Sequence, residues 1–253
     1  MNFVRIQDRL RKLLVATAIA VCVVEPSVAD ARKTSARPPA AALLPGAEKV
    51  LGISRVEDAG AALEQAFTDP IEITLTSGSE ISRQTPPHCR ALLELEPRIA
   101  NTEPAGDWNV LQQRLADCHA LQWLGRVAAP SRTALPHDLP AVRQTRLWPA
   151  SIWPAVSQEE AAALSRPGQT LHGASRRHSW QVIRADARSP GALRLETDHY
   201  TVRVQWLARG DFDGDGWEDW LLRWQAQAAG GSWRAARSLL ITRQAPGRAL
   251  SAK

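Results

Sequence analysis

Hydrophobic positions recur at two different periods along this chain, and the change from one to the other divides it. In "VEDAGAALEQAF", Val56, Ala59, Leu63 and Phe67 fall three or four apart, which puts them on one face of a helix. "IEITLTSG" then alternates Ile71, Ile73 and Leu75 at period two, the pattern of a short strand. "PPHCRALLELEPRIA" reads as a helix opening on proline and broken near Pro97. The strongest helical segment is "DWNVLQQRLADCHALQWLGRV". Trp108, Leu111, Leu115, Cys118 and Leu121 recur there at three and four, with Asp107 placed to cap the helix and Gly125 near its end.

Residues 128–156 carry prolines at 130, 136, 140, 149 and 154 and show no period. Trp148 and Trp153 fall in this stretch. Tryptophans on a surface can carry sugar rings, but beneath a long loop they cover a core, and the core role is expected here. "SQEEAAALSRPG" predicts a short helix with Ser157 and Glu160 as a capping box, ending before Pro167 and Gly168.

From about residue 178 the texture changes to strands. "SWQVIRAD", "ALRLETD", "YTVRVQWLA", "DWLLRWQAQ" and "WRAARSLLITR" follow one another with short turns. The third alternates Val202, Val204, Trp206 and Ala208 on one face with Arg203 and Gln205 opposite. The fourth sets Trp220, Leu222 and Trp224 against Arg223 and Gln225. The predicted fold class is α+β: an N-terminal helical region, then a C-terminal antiparallel β meander carrying an Asp-rich loop. The helical region spans 48–130, a Pro-rich connection with one short helix 131–170, and the β region 171–253.

The first residues are expected to be removed. Arg5, Arg9, Arg11 and Lys12 precede a twelve-residue apolar run, Leu13 to Val24, and small residues Ser27 and Ala29 stand at −3 and −1 of a cleavage point after Ala29. That is a signal peptide over 1–29, and twelve apolar residues are too few for a span, which needs about 20. The mature chain is then expected to lack a transmembrane segment and to be periplasmic or secreted. Residues 30–47, rich in Ala and Pro, read as a flexible lead-in. Without 1–29 the chain holds 27 basic against 24 acidic residues, a balance too mild to imply nucleic acid.

Two cysteines survive processing, Cys89 and Cys118. An oxidising compartment favours a bridge, and one pair leaves no choice of connectivity. His88 and His119 adjoin them, but neighbouring residues on a helix point about 100° apart, which suits a disulfide better than zinc.

The strongest chemical signal joins the third and fourth strands. "GDFDGDGWEDW" packs four aspartates and three glycines into Gly210–Asp219. Asp211, Asp213, Asp215 and Asp219 stand at positions 1, 3, 5 and 9 of a calcium loop, with Gly216 at the sharp turn of position 6 and the Trp217 backbone carbonyl at position 7. Four carboxylates so close together repel one another unless a cation sits among them. An EF-hand is excluded, because position 12 is Leu222 and the flanks read as strands.

"ARGDFDGDGWEDWLL" resembles the calcium loop of FG-GAP or VCBS-type repeats, the strand–loop–strand of integrin-like propellers. The resemblance covers about 15 residues and implies that these aspartates hold calcium and pin a hairpin. The chain has one copy and lacks the Phe-Gly and Gly-Ala-Pro flanks, and a propeller needs several blades. What carries over is the metal site.

No HExxH, GxSxG or phosphate-binding glycine loop occurs, and none of the six histidines (88, 119, 137, 172, 178 and 199) falls in a catalytic frame. The expected function is an exported, calcium-binding, non-catalytic binding or structural protein whose partner is a protein or a cell-wall component. The alternatives are an inhibitor or immunity protein against a periplasmic toxin or wall hydrolase, and a hydrolase of wall glycan or peptide.

Overall fold

The computed structural model describes residues 40–136, 147–155, 157–175, 182–185, 191–196, 199–245 and 248–253. The expected signal peptide, most of the lead-in, His137, His178 and parts of the first two expected β-region strands lie outside them.

In chain order, β1 (Ala42–Leu43) and α1 (Ala47–Leu51) lead into a 3₁₀ turn (Val56–Asp58) and α2 (Ala59–Ala62). Next come β2 (Glu72–Ser77), β3 (Glu80–Gln84), α3 (Cys89–Leu95), β4 (Ile99–Glu103) and the long α4 (Trp108–Leu124). After α5 (Gln158–Leu164) and α6 (Leu171–Ser175) the chain turns to β5 (Val182–Ala185), β6 (Ala192–Glu196), β7 (Tyr200–Gly210), β8 (Asp219–Ala228), β9 (Arg234–Thr242) and β10 (Ser251–Ala252). The fold is α+β, with helices in the first half and an antiparallel meander in the second.

The meander runs β5 to β10 in sequence order, as short connections between alternating segments require. β7 is longer than its neighbour β6, which pairs with it only over Thr201–Gln205. β1 fills the vacant edge beyond, Ala42 opposite Arg209 and Leu43 opposite Ala208. The last residues of the expected flexible lead-in are therefore part of the sheet, fixed by a row of backbone donors and acceptors that would otherwise be unpaired.

The sheet is buried on both faces. On one, Val202, Val204, Trp206, Trp220, Leu222, Trp224, Leu239 and Ile241 pack with the 147–175 segment, including Trp148, Ile152 and Trp153. On the other, Leu207, Ala208, Leu221 and Leu240 pack against α1, α2, α3 and α4. Trp148 and Trp153 are only 1% and 5% exposed, so they are core residues. Trp148 stacks edge-on against Trp206 at 5.7 Å between centroids.

One expected alternation fails. Ala208 does not share a face with Val202, Val204 and Trp206. The register slips between Trp206 and Ala208, where Trp206 faces Leu222 but Ala208 faces Leu221. A bulge at Leu207 inserts one residue, and a period-two strand then exchanges its faces.

The helical half contains more strand than expected. β3, β2 and β4 form a separate three-stranded sheet of which only β2 was anticipated. The predicted helix over 56–67 is shorter too. Its hydrogen bonds tighten to three-residue spacing at Glu64 and Gln65, and the Phe67 N–H is drawn out to the Pro87 carbonyl. α3 opens two residues beyond the proline pair. His88 caps it, its Nδ1 accepting from the Ala91 N–H at 3.2 Å. It does break at Pro97, in a 3₁₀ turn over Glu96–Arg98. Asp107 makes no capping bond and lies instead in the 3₁₀ turn before α4. Ser157 does cap α5, its hydroxyl accepting from the Glu160 N–H.

Cys89 and Cys118 are bonded, with Cα atoms 5.2 Å apart, and tie α3 to α4 inside the helical core. Their histidine neighbours turn elsewhere, His88 to Glu64 at 3.6 Å and His119 to Glu96 at 2.8 Å.

Candidate metal centre

The aspartate stretch is the turn between β7 and β8. Its conformation follows from short acidic side chains beside backbone that can bend either way. Gly214 and Gly216 take φ 79° and 81°, the left-handed region that glycine enters without steric cost. The carboxylates then fold back onto the N–H groups of the turn. Asp211 accepts from Gly214 at 2.8 Å and from Gly216 at 2.9 Å. Asp213 accepts from Asp215 at 3.2 Å, and Asp215 from Trp217 at 2.8 Å.

These bonds converge the side chains. Asp211, Asp213 and Asp215 each place an oxygen within 4.8 Å of the others. Calcium holds oxygens at 2.3–2.6 Å, so ligands on opposite sides of one ion stand about 5 Å apart. The three carboxylates therefore lie within reach of a single hard cation and can bind a metal ion.

Asp219 is not in that group. It is fully buried at the start of β8, and one oxygen accepts from the Phe212 N–H at 3.2 Å. Thr242 stands directly across on β9, yet neither Thr242 Oγ1 nor Asp219 Oδ1 completes a hydrogen bond. Burial pushes the Asp219 carboxyl up to about 6, and the charges of Asp213 and Asp215 add to it, with the Phe212 N–H pulling the other way. A buried carboxylate oxygen without a donor suits a nearby positive charge. Trp217 lies in the turn with its ring face under the Arg132 guanidinium, 4.4 Å from the centroid.

The turn is held from outside by residues that the local sequence does not announce. The segment after α4 runs along it: Ala128 and Asp211 exchange backbone bonds, and the Gly216 carbonyl accepts from the backbone of Ser131 and Arg132 and from the Ser131 hydroxyl. The approach is close. A Cβ at Gly210 would stand 2.3 Å from a Val127 methyl, and one at Gly216 would stand 3.0 Å from the Ser131 hydroxyl. Glu218, only 3% exposed, accepts from the Thr133 hydroxyl and faces Arg209 at 4.0 Å.

A cation from the chain itself also reaches the cluster. Lys253, after β10, places its ammonium on the Asp213 carboxylate and 3.9 Å from Asp215, which also accepts from Gln244 at 3.3 Å. Burial alone would push the Asp213 carboxyl up, but the Lys253 ammonium and the Asp215 N–H hold it below its ordinary value. No signal within the loop marks Lys253 or Gln244, which lie 40 and 29 residues from their aspartate partners.

Compared with known protein families, with curated proteins and with solved structures, the chain matches none. Its chemistry rests on its own residues. Among the described residues, no helix is long and apolar enough to cross a membrane.

Proposed function

We propose that this is an exported, calcium-binding, non-catalytic protein that binds or supports a partner, with the β7–β8 turn as its cation site. The observation that carries the reading is the convergence of Asp211, Asp213 and Asp215 within the reach of one ion. All three are oxygen donors, which suits a hard cation; the FG-GAP-like resemblance adds Asp219, and position 7 of the calcium-loop spacing adds the Trp217 carbonyl. Bound calcium would supply positive charge among four carboxylates and pin β7 to β8. Export is supported by the N-terminal basic-then-apolar pattern and by a buried disulfide, a bond that persists in oxidising compartments. The proposed partner is a periplasmic or extracellular protein or a cell-wall component.

The test is calorimetric titration with calcium, paired with melting in calcium and in chelator. Loops of extracellular modules bind near 10⁻⁴–10⁻³ M, so about 1 mM calcium should add roughly 0.4–1.4 kcal/mol of stability. Magnesium, which holds its waters more tightly, should add less. No binding heat together with an unchanged melting midpoint would end the proposal.

A further inference from the structure

A second polar feature lies away from the aspartate turn. A groove with about 270 Å³ of water-accessible space opens between the 151–165 segment and the β8–β9 pair. Trp224 and Arg237 face each other across those strands, five residues along β8 from Asp219, roughly 16 Å at strand rise.

The groove has an aromatic wall and a basic group. Trp224 is buried, its indole N–H donating to the Ile152 carbonyl. Trp153 meets Tyr200 edge-on at 6.1 Å, and Tyr200 meets Trp233 at 5.7 Å. Trp233 is 43% exposed, an apolar ring left facing water. Arg237 lies over Trp224, 4.5 Å from the ring centroid, and donates to the Ser151 carbonyl at 2.7 Å. Those contacts fix the guanidinium but use only one of its five donors. Among the described residues no carboxylate pairs with it. The residue is exposed, so a ligand in the groove can reach the guanidinium.

We propose that this groove binds a small carboxylate-bearing ligand, one amino-acid residue or one sugar ring in size. Its carboxylate pairs with Arg237 and its apolar side lies against Trp233. A guanidinium meets a carboxylate through two parallel, charge-assisted bonds. The space is below the 300–1,000 Å³ common for drug-sized ligands, which limits the occupant to one such unit. The chemistry is shared by a peptide chain end and by an acidic sugar.

The experiment follows the indole N–H resonances of Trp224 and Trp233 by NMR in the full chain. Titrants are N-acetyl-Ala-Ala and its terminal amide in one arm, glucuronate and glucose in the other. One acid should shift both indoles saturably while its neutral counterpart does not, and the responding arm identifies the source. Arg237→Gln should weaken that binding about tenfold or more, the worth of a charged hydrogen bond, and Arg237→Lys should fall between. Should Arg237→Gln fail to fold, Trp233→Ala replaces it, since its ring is exposed, with a several-fold loss expected. Absence of any shift with either acid at about 20 mM, equal response to acid and neutral analogue, or undiminished binding by the variant that folds overturns the proposal.

Discussion

At the scale of single residues, the aspartate turn sets two cations against each other. The Lys253 ammonium occupies the Asp213 carboxylate that a metal ion would use. Lys253→Gln removes the competitor, so calcium affinity should rise by up to about fivefold, the size of an exposed ion pair. Calorimetry on wild type and variant measures it, and equal affinities would show that Lys253 does not compete. Asp213→Ala should abolish the calcium response. Glu218→Ala should leave that response in place yet lower the melting midpoint in calcium and chelator alike. The carboxylate it removes is buried, and the Thr133 hydroxyl would lose its acceptor, at a cost of about 1–3 kcal/mol. The pair separates ligation from scaffolding within six consecutive positions, 213–218. Spacing alone sorted these residues by ligand position, but burial shows that a non-ligand glutamate can matter to the fold.

At the scale of elements, α3 and α4 are held by one covalent bond within a shared apolar core. Denatured, unreduced protein should show no reactive thiol at Cys89 or Cys118, and a thiol reagent counts them. The bridge spans 29 residues, for which chain entropy gives roughly 3–4 kcal/mol. Reduction should lower the urea-derived stability by no more than about that amount. α4 was legible because its apolar residues repeat from Trp108 to Leu121, nearly four turns, and β2 because it alternates. β3 and β4 were not. β3 is exposed at every position and so has no apolar face to alternate, and β4 buries only Thr102 fully. Both exist because β2 offers each of its edges a ladder, which is a property of neighbours rather than of their own residues.

At the scale of the whole molecule, one sheet carries a core on each face, and a half-buried polar pair crosses one boundary. Asp117 of α4 accepts from Arg223 of β8 at 3.0 Å, while Asp117 Oδ1 and Arg223 Nε find no partner. Burial pushes the Asp117 carboxyl up to about 6, with Arg223 pulling the other way. The folded protein thus holds this proton more tightly than the unfolded chain, whose carboxyl titrates near 3.8. Its contribution is most favourable below about pH 4, declines as pH rises to about 6, and is level above. The full swing is at most about 3 kcal/mol, and less because the side chain keeps some water. In Asp117→Asn that decline should vanish. The comparison is the difference in urea midpoint between wild type and variant at pH 4 and at pH 7.5. A difference that does not change with pH would mean the pair is solvated.

The chain by itself determined whatever depends on residues a few positions apart. That covers the two hydrophobic periods and hence α+β, the meander order from short connections, the caps at Ser157 and the break at Pro97, and an aspartate spacing that converges three carboxylates. Cys89 and Cys118 needed no geometry, because only two cysteines follow the expected cleavage point. Tertiary structure decided the rest. The bulge at Leu207 sends Ala208 to the helical core, since parity depends on how β7 meets β8 and not on β7 alone. Trp148 and Trp153 became core because the sheet offered an apolar face to an aperiodic segment. Lys253, Ser131 and Arg132 reach the aspartate turn from 40 to 85 residues away. No local pattern records such contacts, because they depend on how β10 pairs with β9 and how the segment after α4 lies along the turn.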